Sequence, residues 1–159
     1  MKKRTMIICV VLLVFCVVGY QVYVYTKTAE SYLLHSYGNF VEVIYQECIE
    51  GNKEVVFFTD DEGYILCAIL ERRALGYKTL RISGRCSLSR PGYICSYYYV
   101  EDESNWIAWG LVTDKKVTTI VADEKEMKIC EAGAYTFRIC WLLGTGTAPI
   151  CFTEEYAEN

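Results

Sequence analysis

A general base working near neutral pH is most often a histidine, and this sequence has one, His35. Cys48 lies thirteen positions on and, on a common helix, would point to a different face. A Cys–His nucleophile pair would therefore need a distant thiol folded back onto His35, which reads instead as a solvated or interfacial side chain. No Cys-x-x-Cys occurs, which removes the dithiol redox motif and the simplest zinc knuckle. Asp60-Asp61-Glu62-Gly63 and Glu101-Asp102-Glu103 are acidic enough to attract calcium. Neither has the ligand spacing of an EF-hand loop, and turns are acidic for solvation alone. Gly144-Thr145-Gly146-Thr147 lacks the lysine and following helix of a phosphate loop, so it reads as a turn. No catalytic residue, cofactor or metal site is expected from these side chains.

Charge gives a surface feature. Arg72, Arg73, Lys78, Arg81, Arg85 and Arg90 fall within nineteen positions that hold no acidic residue. In an extended chain Arg81 and Arg85 share a face. Such a run can contact an anionic partner, lipid headgroups or wall polymer. It can equally be a solvated edge that discourages strand aggregation and pairs with the acids at 101–103, and that reading ranks first. Tyr93, Tyr97, Tyr98 and Tyr99, with Trp106 and Trp109, form an aromatic band, mostly expected in the core.

The nine cysteines divide by location. Cys9 and Cys16 lie in an apolar N-terminal segment and behave as small hydrophobes. Seven remain, an odd number, so at least one stays free or pairs between chains. Cys86 with Cys95, and Cys130 with Cys140, are the pairs that could bridge short hairpins. Reduced core thiols are the alternative, because Cys67, Cys95, Cys130, Cys140 and Cys151 each follow Leu or Ile in an apolar run.

The N-terminal segment decides where all of this operates. Residues 5–25 hold no charged side chain, and Lys2, Lys3 and Arg4 precede them. As a helix the run would span about 31 Å, the thickness of a bilayer's hydrocarbon core. The basic stub at 1–4 should stay in the cytoplasm and direct the remainder outward. An uncleaved signal anchor fits best, since the run continues past Gly19 and gathers Tyr20, Tyr23 and Tyr25 at its far end. Cleavage after residues 17–19 is the second reading; lipid attachment at Cys16 is opposed by the bulk of Phe15. Beyond residue 27 the chain carries a net charge of −8, which argues against nucleic acid as a partner.

Residues 26–159 read as one globular domain. A tether helix is predicted over 28–49, with a break at Gly38-Asn39 and a second helical segment on Phe40, Val43, Ile44 and Cys48. Strands are predicted at 54–59, 64–70, 77–83, 93–100, 106–113, 117–122, 127–130 and 135–142, with an edge strand at 149–152 and a frayed tail at 154–159. In 135–142, Tyr135, Phe137, Ile139 and Trp141 share one face. The fold class is α+β: a transmembrane helix and tether helix, then a mainly antiparallel sheet domain, sandwich or half-barrel.

Gly76-Tyr77-Lys78, Trp109-Gly110-Leu111-Val112-Thr113-Asp114 and Arg138-Ile139-Cys140-Trp141 resemble pieces of uncharacterised small membrane-anchored exported proteins of Gram-positive bacteria. The resemblance implies location and general architecture, and no activity. The expected function is a non-enzymatic single-pass protein of the cell membrane whose exported domain binds a protein or envelope polymer. Two alternatives remain: an exported hydrolase or thiol-dependent enzyme, and a membrane-anchored immunity protein.

Overall fold

Unbroken apolar runs such as residues 55–58 and 65–70 need cover on both faces of their strands, because successive side chains point to opposite sides. The computed structural model, which describes residues 2–87, 94–98, 104–149 and 151–156 (side chains excepted at 2–5, 24–26 and 95–98), meets that need by stacking. Helix α1 (Lys2–Thr26) leads into α2 (Ala29–Ser36). The first sheet orders β1 (Phe40–Cys48), β2 (Lys53–Asp60), β3 (Ile65–Arg73) and β4 (Gly76–Ile82). In the second, β5 (Ile94–Tyr98), β6 (Asn105–Val112), β10 (Arg138–Thr145) and β9 (Lys128–Glu131) lie side by side. A third sheet holds β11 (Phe152–Tyr156), β7 (Val117–Ala122) and β8 (Lys125–Glu126). All these pairings are antiparallel. The α+β class is as the sequence predicts.

Four layers result. Between the first and second sheets, Val55, Phe57, Ile65 and Ile69 meet Ile107, Trp109, Leu111 and Ile139. The outer face of the first sheet, with Val56, Phe58, Leu66 and Leu70, is covered by Ala29 and Leu33 of α2. The outer face of the second sheet, with Trp106, Ala108 and Cys140, is covered by Val117, Ile120 and Ala122 of the third. Each fully buried Leu, Ile or Phe stabilises such a stack by about 1.5–3 kcal/mol. The strand expected at 135–142 begins only at Arg138, and within it the alternation holds: Ile139 and Trp141 face the central core and Cys140 the third sheet, while Phe137, in the bend before the strand, also enters the central core.

Helix α2 begins where Thr28 caps it, its Oγ1 accepting the Ser31 N–H at 3.1 Å, with Glu30 in the first turn. The helical segment expected at 40–48 is instead strand β1. Two β-bulges, between Phe40 and Glu42 and between Val43 and Tyr45, break its alternation. Ile44 and Tyr45 therefore both turn toward the central core, and the apolar spacing imitates a helix. The frayed tail is corrected over residues 154–156, which belong to β11, paired with β7; residues 157–159 lie outside those described. Strands β7 and β8 are joined by Asp123 and Glu124, both at positive φ, the backbone of a two-residue hairpin turn usually built from Asn-Gly.

The cysteines correct a second expectation. Cys130 lies opposite Ile139 and Cys140 opposite Ile129, one step out of register, so their side chains leave the sheet on opposite faces. They cannot bridge, and both are free. Cys86 packs against the central core; the side chain of Cys95 lies outside those described.

Candidate functional site

Strand β2 runs from Lys53 to Asp60, about 25 Å, and the two ends of the first sheet differ in chemistry. At the first end lie the β1–β2 turn and the tip of the β3–β4 hairpin, locked together. The Arg72 N–H donates to Asn52 O at 2.6 Å, and Asn52 Nδ2 donates to Arg72 O at 2.7 Å. The tip carries Arg72, Arg73 and Leu75, all exposed, and Gly76 makes the return turn at a φ of +115°. Leu75 is 85% exposed, more than any other large apolar residue described, including those of α1. Arg73 pairs with Glu71 at 2.9 Å, which lowers the Glu71 carboxyl pKa. Lys78, also exposed, stands opposite Glu71 on β4.

The membrane-length helix lies beside the strand that carries this tip. Helix α1 comes within 8 Å, Cα to Cα, of β4. The first turn of α2 docks there too, with the Tyr32 hydroxyl 3.1 Å from Thr79 Oγ1 and its ring 6.1 Å from that of Tyr77. Helix α1 is long and apolar enough to cross a bilayer over Met6–Tyr23, with a mean hydropathy of 2.5 and none of that stretch buried. Its Val- and Ile-rich sequence suits a medium in which every backbone polar group must be satisfied within the helix.

The opposite end is acidic. Asp60, only 2% exposed, accepts the N–H groups of Glu62 at 3.1 Å and Tyr64 at 2.8 Å, pinning the β2–β3 turn. Its other carboxylate oxygen lies 3.0 Å from Arg85 Nε. Arg85 also pairs with Glu62 at 2.5 Å and lies over the Tyr64 ring at 5.2 Å. Asp61 accepts from Asn39 Nδ2 at 2.9 Å, tying the turn to the start of β1. Beside this network the mouth of the sandwich opens into two adjoining hollows of about 340 and 210 Å³. Both are lined by Glu42 and Tyr135; Val41, Asp60 and Asp61 line the larger one. The Tyr135 hydroxyl donates to Glu42 across the two sheets, and that carboxylate, with partial burial, raises the tyrosine pKa. It also approaches Thr59, whose buried Oγ1 makes no hydrogen bond of good geometry.

The basic run of the sequence is thus divided. Arg72, Arg73 and Lys78 stay together, Arg81 is exposed further along β4 opposite Ile69, and Arg85 is drawn into the acidic end. Arg90 and the acids at 101–103 lie outside the described residues, as do Tyr93 and Tyr99 and the side chains of Tyr97 and Tyr98. Trp106 and Trp109 are buried on opposite faces of β6. His35 is exposed on α2, its Nδ1 2.8 Å from Ser31 O. Among the described residues, no three His, Cys, Asp or Glu side chains converge as a metal site. Burial pushes the Cys67 thiol well above its usual pKa and that of Cys140 up to about 12, so neither is poised as a thiolate.

Sequence reasoning missed the Glu42–Tyr135 pair, because 93 positions separate its members and neither has an unusual neighbourhood. The hairpin tip did carry a signal, a leucine between two arginines and a glycine in a turn. No family model, curated protein or solved structure matches the chain.

Proposed function

We propose that the chain is a single-pass membrane protein, anchored by α1 with its basic N-terminus in the cytoplasm, whose β-domain stands outside the cell and works by binding. The partner is a protein or envelope polymer bearing cationic groups, held in the groove between Glu42, Asp61 and Tyr135. The observation that carries this reading is the polarity of the first sheet. The membrane-length helix lies beside the strand that carries the basic tip at one end, and the acidic, partly open mouth of the sandwich lies at the other. A groove placed away from the bilayer is free to meet a partner from the aqueous side. Val41, an exposed apolar residue on its rim, supplies contact area beside the carboxylates.

The thiol-enzyme alternative finds less support. The buried thiols of Cys67 and Cys140 are shifted away from reactivity, and His35 sits on the α2 surface.

A photo-crosslinking amino acid at position 41, in the full-length chain on intact cells, tests the binding reading. One discrete adduct should form, and Glu42→Lys together with Asp61→Lys should abolish it in a chain that still melts normally. An adduct unchanged by charge reversal, or none at any position around the groove, contradicts the proposal.

A further inference from the structure

We infer that the β3–β4 hairpin tip is a second membrane contact, in which Leu75 enters the interfacial layer of the bilayer spanned by α1 while Arg72, Arg73 and Lys78 bind the phosphates of anionic lipids. This rests on the anchor reading of α1. Three independent observations on the domain support it.

The first is exposure. Leu75 is 85% exposed, whereas the remaining exposed large apolar residues of the described domain, Leu34, Val41 and Tyr156, lie between 53 and 56%. The second is position. The first turn of α2, which follows α1 directly, docks on Tyr77 and Thr79 of the tip's own strand, and α1 comes within 8 Å of that strand, which puts the membrane-length helix beside the hairpin. The Asn52–Arg72 hydrogen bonds hold the tip rigidly to the adjacent turn, so it can present Leu75 without an ordering cost. The third is charge. Arg72, Arg73 and Lys78 surround the leucine, with Lys53 nearby on β2, opposite Glu71. Glu71 is partly neutralised by Arg73, and Glu50 is the other exposed acid of the neighbouring turn. A basic cluster framing an apolar tip is the composition that binds anionic interfaces, with guanidinium groups matching phosphate oxygens and the leucine supplying apolar burial. Together with α1 it would fix the orientation of the domain, since two attachment points remove the rotation that one helix allows.

The full chain, reconstituted in nanodiscs containing bromine-labelled lipids, provides the test. Tryptophan is introduced singly as Leu75→Trp, Phe15→Trp or Val41→Trp, the native indoles of Trp106, Trp109 and Trp141 being buried background. Phe15→Trp should be quenched by bromines near the bilayer centre whatever the headgroup. Leu75→Trp should be quenched by bromines near the headgroups, at least twofold more with anionic phospholipid present than with phosphatidylcholine alone. Val41→Trp should be unquenched. Reversing Arg72, Arg73 and Lys78 to glutamate should remove the Leu75→Trp quenching. If Phe15→Trp is quenched and Leu75→Trp is not, the hairpin contact is overturned while the anchor stands. If Phe15→Trp is itself unquenched, the anchor reading falls first. A Leu75→Trp signal that responds to added wall polymer but not to lipid also overturns the proposal.

Discussion

Two regions of the β-domain are held together by different physics. Between the second and third sheets, closure depends on shape: Gly144 lies opposite Trp106, and a Cβ on that glycine would sit 2.2 Å from the indole Cζ2. At the far, acidic end of the first sheet, closure depends on polar contacts, with buried Asp60 fixing the β2–β3 turn and Glu42 meeting Tyr135 across the sheets. The acidic end keeps its carboxylates partly hydrated and open, as recognition of a cationic partner requires.

Four perturbations sharpen or break this contrast. Gly144→Ala should have the largest effect, destabilising the domain by about 3 kcal/mol, since the indole has no room to retreat between two sheets. Chemical denaturation measures it, and the loss should be insensitive to salt. Asp60→Ala should cost about 2 kcal/mol, through two turn N–H groups losing their acceptor. If Asp60→Ala melts like the parent chain, the far end is not held by that carboxylate.

A smaller effect is expected where Lys128 bridges to Glu47 between the sheets at 2.5 Å. Lys128 and then the Tyr45 hydroxyl hold the Glu47 carboxyl pKa below its unfolded value, against partial desolvation. Its contribution is therefore complete above the unfolded pKa of about 4.3 and is lost as acid carries the pH down through the folded one. Both partners are partly solvated, so the acid limb of the stability curve should shift only slightly. Lys128→Met should remove that part of the limb by lowering stability slightly at neutral pH and leaving it unchanged in acid, where Glu47 is protonated in both chains. Leu75→Ser should change stability least, by less than about 0.5 kcal/mol, because its side chain touches little of the domain. A large loss there would mean the tip serves the fold rather than a surface outside it.

What the sequence revealed follows from where local pattern and tertiary contact agree. The central strands were legible because both faces are covered, which writes continuous apolar runs at 55–58 and 65–70. The face of β10 was legible because one side meets the core at every second residue. Strand β1 was not, since two bulges displace Ile44 and Tyr45 from the alternation that marks a strand. The β7–β8 hairpin was hidden because Asp123 and Glu124 adopt a turn that Asn-Gly would have advertised. The pairing of Cys130 with Cys140 failed on a one-residue register step, which no spacing rule could supply. Of the sites, the basic run was visible as composition, but only the fold separates Arg72 and Arg73 from Arg85.

The claim on which the account turns is that α1 crosses the membrane and leaves the β-domain outside, and the native cysteines can report on it. Cys48 and Cys151 are exposed free thiols on the domain, whereas Cys9 and Cys16 lie within α1. A membrane-impermeant maleimide applied to intact cells, with peptide mass spectrometry to locate the label, should mark Cys48 and Cys151 and spare Cys9 and Cys16. Labelling of Cys48 and Cys151 only after the cells are broken open would place the domain on the cytoplasmic side and contradict the account.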